Sequence, residues 1–143
     1  MKKRILLLAA ILLVGSVTAC RTAETETEPP MQETETEIKQ VIYENITAEA
    51  AKEIMDTETG YVILDVRTAE EFADGHIKGA ILIPDYEIAE RAESILPNKD
   101  QKILIYCRSG RRSKLAAEAL LALGYTNVWE FGGIIDWPYE IEK

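Results

Sequence analysis

From Val41 onward the chain alternates short apolar runs with segments whose apolar residues recur every three or four positions. The runs YVILD (Tyr61–Asp65), AILIP (80–84), KILIY (Lys102–Tyr106) and NVWEF (127–131) each predict a β-strand. Between them, AEAAKEIMD, TAEEF, a segment around Ile88 to Leu96 and SKLAAEALLAL predict helices, the last starting at about Ser113. Thr47 is placed to cap the first helix, and Thr68 with Glu71 has the spacing of a capping box. Gly124 closes the last helix as a left-handed residue, and Gly132-Gly133 reads as a turn. Wholly apolar strands separated by helices predict an α/β domain over residues 41–143, a mostly parallel sheet with helices on both faces.

Residues 1–40 do not follow this pattern. MKKRILLLAAILLVGSVTAC has a basic start, about a dozen apolar residues and small residues before Cys20. That run is short of the roughly 20 residues of a membrane-spanning helix and has the layout of an export signal. The VTAC ending resembles the bacterial lipoprotein signal, which predicts cleavage before Cys20 and lipidation of Cys20. An uncleaved anchor helix is the alternative, and either reading places the domain outside the cytoplasm. A lipidated Cys20 would hold the chain on a bacterial membrane, because two acyl chains anchor stably where one is marginal. Residues 21–40, RTAETETEPPMQETETEIKQ, offer almost nothing to bury and are expected to be a disordered tether.

The formal charge of −9 becomes about −12 once Lys2, Lys3 and Arg4 leave with the leader, which argues against a nucleic-acid partner. With Cys20 lipidated, Cys107 is a lone thiol, either buried and inert or reactive. One cysteine and one histidine are too few for a zinc site, so no metal or cofactor is expected.

Against this acidic background the segment YCRSGRRS (Tyr106–Ser113) places Cys107 where a strand gives way to a helix. Ligand sites of open α/β sheets lie at the carboxyl ends of strands, and helix N-termini offer unpaired N–H groups. Gly110 lets successive N–H groups curve toward one centre, and Arg108, Arg111 and Arg112 add positive charge. Three arginines at a helix N-terminus, the end where the dipole disfavours them, point to an anion. Activating the thiol is the lesser reason for such a loop. Lowering a cysteine pKa from about 8.5 to about 6.5 raises the thiolate fraction about 24-fold but cuts nucleophilicity about 8-fold, a net gain of about threefold. Holding an anionic substrate or a charged sulfur adduct is the stronger reason.

Three separated motifs, LDVRTAEEFADGHIKGAILIP (Leu64–Pro84), YCRSGRRS and GYTNVWEFGGIIDW (Gly124–Trp137), together resemble a single-domain rhodanese, a sulfurtransferase. The resemblance spans Ile46 to Trp137 and implies a rhodanese-like fold. It also implies that Cys107 accepts a sulfane sulfur from an anionic donor such as thiosulfate, becomes a persulfide and passes the sulfur to a thiol or cyanide. The loop Arg108, Ser109, Gly110, Arg111, Arg112, Ser113 would bind the substrate. Asp65 and Arg67, near the active loop in that family, would act structurally by holding it, with Glu71 as a partner for Arg67. His76 reads as structural.

Three rival functions remain at this point. A related phosphatase or arsenate reductase uses C-x5-R, whereas Arg112 gives C-x4-R, a tighter cradle suited to a sulfur on the cysteine. A thiol hydrolase needs His76, backed by Asp65, within reach of Cys107. A non-catalytic binding module of the same fold has no need of the intact loop.

Overall fold

The computed structural model of the chain describes residues 39–143, so the leader, Cys20 and most of the tether lie outside the described residues. The elements run β1 (Ile42–Asn45), α1 (Ala48–Thr57), β2 (Val62–Asp65), α2 (Ala69–Asp74), β3 (Ala80–Leu82), α3 (Ile88–Ile95), β4 (Ile103–Cys107), α4 (Arg111–Ala122) and β5 (Asn127–Gly133). The five strands form one sheet in the order β1-β5-β4-β2-β3, and every pairing is parallel.

Strand periodicity divides the core between the two faces of this sheet. On one face Ile103, Ile105 and Cys107 of β4 pack with Leu64, Val128 and the buried residues of α3 and α4, among them Ala92, Ala116, Ala117 and Leu120. On the other, Leu104 and Tyr106 pack with Ile63, Ile77, Phe131, Trp137 and Ala51 of α1. All five residues of β4 are buried, as the central strand of a covered parallel sheet must be.

The helix signals act as their chemistry requires. Thr47 accepts from the Ala50 N–H, and Thr68 and Glu71 form a reciprocal capping box at α2. Gly124 has φ +87°, the left-handed conformation expected just beyond α4. Two boundaries differ from the sequence expectation. Helix α4 starts at Arg111 rather than Ser113, because Gly110 at φ +90° turns the chain straight into it. Gly132-Gly133 is the end of β5 rather than a turn, with Gly133 beside Cys107 of β4. The edge strand β1, four largely exposed residues, lacks the apolar run that marks the others.

Candidate active site

Cys107 is the last residue of the central strand, 1% exposed, on the face covered by α3 and α4. Its Sγ accepts the Gly110 N–H at 3.1 Å and lies 3.5 Å from Ser113 Oγ. Burial pushes the Cys107 thiol up, but the Ser113 hydroxyl and the N–H groups of Ser113, Ser109 and Gly110 outweigh it, so the net shift is downward. The groups that favour the thiolate are thus backbone N–H groups and one hydroxyl of the loop.

The three arginines have separate fates. Arg108 and Arg111 are exposed, and no ion pair among the described residues engages them. Arg112 instead makes a two-pronged contact with Glu71, Nη1 to Oε2 and Nη2 to Oε1, both at 2.8 Å. Hydrogen bonding from that guanidinium pulls the Glu71 carboxyl down to about 2. Glu71 is therefore the partner of Arg112 and not of Arg67, a correction to the sequence reading. The pair fastens the first turn of α4 to the capping box of α2.

Asp65 and Arg67 form a buried pair, with Arg67 Nη2 at 2.6 Å and Nε at 2.9 Å from Asp65 Oδ2. Arg67 Nη2 also donates to the Gly75 carbonyl at 2.7 Å. Asp65 points to the sheet face opposite Cys107, and the Arg67 guanidinium lies over the Tyr106 ring. The segment this pair holds is the Gly75 turn rather than the Cys107 loop. His76 also belongs to the scaffold. It stacks on Phe72, its Nδ1 lies 3.0 Å from the Phe72 carbonyl, and its Nε2 is 3.6 Å from Glu142. Both ring nitrogens face groups other than Cys107, and Asp65 is engaged by Arg67, so no hydrolase triad is assembled. A cavity of about 600 Å³ lined by Met55, Tyr61, Ile77, Trp137 and Tyr139 belongs to the α1 side, away from the thiol.

Two site residues were not anticipated from the sequence. Gly133 lies directly under the loop: a Cβ there would come 2.2 Å from the Arg108 carbonyl oxygen and 2.5 Å from Ser109 Cα. Only a glycine lets the loop backbone settle on the end of β5. Glu130, 3% exposed on β5, accepts the Ser113 hydroxyl at 2.6 Å and the Gly132 N–H at 3.0 Å. The out-of-place charge in NVWEF was its only signal.

With this geometry in place, the family model of the Rhodanese-like domain matches residues 47–138. The chain belongs to the rhodanese-like family. Among its relatives, the thiosulfate sulfurtransferase PspE of Escherichia coli is 41% identical over 73 residues, covering 51% of this chain and 70% of that protein. A sulfurtransferase of Allochromatium vinosum is 40% identical over 88 residues, covering 61% of this chain and 79% of the relative. Of solved structures, an E. coli rhodanese with anions has a TM-score of 0.55 at 37% identity, covering 58% of this chain and 98% of that one. The rhodanese-like domain of the Anabaena Alr3790 protein has a TM-score of 0.66 at 29% identity, covering 71% and 80%. The α/β architecture is that of rhodanese-like structures, and the relatives support sulfur transfer as the general activity.

Proposed function

We propose that this rhodanese-like protein is a sulfurtransferase that takes sulfane sulfur from a small anionic donor such as thiosulfate and delivers it to a thiol or cyanide. The Cys107 thiolate attacks the outer sulfur of thiosulfate, and sulfite leaves with the electron pair of the broken S–S bond. The acceptor then attacks the outer sulfur of the persulfide, and Cys107 leaves as thiolate. The observation that carries this reading is the Gly110 N–H aimed at Sγ, with Arg108 and Arg111 exposed on the same loop and in no ion pair among the described residues. Preorganised N–H donors stabilise negative charge on the sulfur both before and after it gains its second atom.

The phosphatase reading fits less well, because Arg112, the arginine nearest the position where C-x5-R enzymes place theirs, is already engaged by Glu71. The full-length protein is expected to transfer sulfur from thiosulfate to cyanide, and Cys107→Ala to abolish the transfer. Equal activity in the variant, or Cys107-dependent turnover of an aryl phosphate with none on thiosulfate, would overturn the assignment. We also propose that Cys20 is lipidated and anchors the protein outside the cytoplasm of a bacterium. Labelled fatty acid is expected to enter the wild-type chain in cells and not Cys20→Ser; equal labelling would contradict this.

A further inference from the structure

Glu130 occupies a position that the period of β5 assigns to the core. Val128, two residues earlier, packs among the apolar side chains of the α3/α4 face, yet here the residue is a carboxylate only 3% exposed. A buried carboxylate is costly unless its oxygens are hydrogen-bonded or paired. No ion pair among the described residues includes Glu130. Its donors are the Ser113 hydroxyl at 2.6 Å and the Gly132 N–H at 3.0 Å.

Ser113 Oγ lies near four acceptors: Glu130 Oε1, the Gly110 carbonyl at 3.1 Å, the Gly132 carbonyl at 3.4 Å and Cys107 Sγ at 3.5 Å. A hydroxyl has one proton to give and two lone pairs to offer. When that proton goes to the nearest acceptor, Glu130, the Ser113 lone pairs are left to accept the S–H of a neutral Cys107. The three groups then form one directed chain from sulfur to hydroxyl to carboxylate.

We propose that Glu130 receives the Cys107 proton through Ser113 and returns it at the end of the cycle. The S–H bond breaks as its proton passes to Ser113 Oγ, while the proton of Ser113 passes to Glu130 Oε1. The products are a thiolate, now hydrogen-bonded by Ser113, and a neutral carboxylic acid. The single negative charge stays within the site, and no proton has to reach bulk water. When the thiolate is released from its persulfide, the same chain runs in reverse. Glu130 acts through Ser113 and is a positioning residue; the inference rests on Cys107 being the reacting thiol.

Other charges face this chain from the surrounding elements. They are Arg112 of α4 with its partner Glu71 of α2, and Asp85 toward Arg112; Arg108 and Arg111 of the same segment are exposed. Asp65, Arg67 and Tyr106 belong to the opposite face of the sheet.

The test is the rate of Cys107 alkylation by iodoacetamide in the full-length protein from about pH 5 to about pH 10, read by peptide mass spectrometry that separates Cys107 from Cys20. The wild-type profile carries the effect of the Glu130 carboxylate on the thiol through Ser113. Glu130→Gln is expected to shift the profile down by at least about one pH unit, with about tenfold more thiolate at a given pH. Ser113→Thr is expected to keep the wild-type profile and Ser113→Ala to depart from it. A wild-type profile superimposable on that of Glu130→Gln would overturn the proposal. If circular dichroism finds Glu130→Gln unfolded, the serine variants decide, and identical profiles for Ser113→Ala and wild type would sink it. The alkylation readout is independent of sulfur transfer, so a failed relay leaves the assigned activity standing.

Discussion

At the scale of single residues, the site depends on what each side chain is free to do. Arg108 and Arg111 are exposed and in no ion pair among the described residues, while Arg112 is paired with Glu71. The double variant Arg108→Ala/Arg111→Ala is therefore expected to raise KM for thiosulfate about tenfold with a smaller change in kcat, since two charge-assisted contacts are lost. Wild-type KM should rise with salt and the variant's should not, because exposed charges are screened. Steady-state kinetics at two ionic strengths measures both effects. Gly133 is limited by space instead. A methyl at that position overlaps the Arg108 carbonyl, so Gly133→Ala must push the loop off β5. The expected cost is about 3 kcal/mol of stability together with loss of transfer activity, measurable by urea unfolding and the thiosulfate assay. Wild-type stability in this variant would mean that the loop backbone does not rest on β5.

At the scale of elements, the Glu71–Arg112 pair joins α2 to α4 across 41 residues of sequence. The folded Glu71 carboxyl is depressed to about 2, against an ordinary value of about 4.3. Its stabilisation is complete above the ordinary value and fades as pH falls through the interval down to about 2. After allowance for its partial exposure, the loss is roughly 1 kcal/mol. Glu71→Gln should flatten the acid limb of the unfolding profile in that interval and leave neutral stability about 1 kcal/mol lower. An unchanged acid limb would show that the pair does not couple the helices. Such pairings explain what the sequence did and did not disclose. The strands β2 to β5, the helices and the Cys107 loop were legible because apolar runs, caps and a Cys-Arg-Gly segment are local signals. The partner of Glu71, the fit of Gly133 and the burial of Glu130 depend on residues brought together from distant segments. The capping box announced Glu71 as a helix-start residue, and only the fold supplies Arg112 as its second partner. β1 escaped notice because an exposed edge strand carries no apolar run.

At the scale of the whole molecule, the central strand delivers Cys107 to the carboxyl edge of the sheet, where α4 begins and its N–H groups converge. The opposite face, with Asp65, Arg67, His76 and Tyr106, secures the segment between β2 and β3. Division of the core by the sheet thus separates the Cys107 loop from this scaffolding. In the proposed mechanism Cys107 carries the transferred sulfur as a persulfide. Intact-mass and peptide mass spectrometry of the protein after exposure to thiosulfate, followed by removal of the donor, tests it most directly. One added sulfur on the Cys107 peptide, lost on addition of cyanide, is the expected result. An unmodified Cys107 in protein that still turns thiosulfate over would contradict the account.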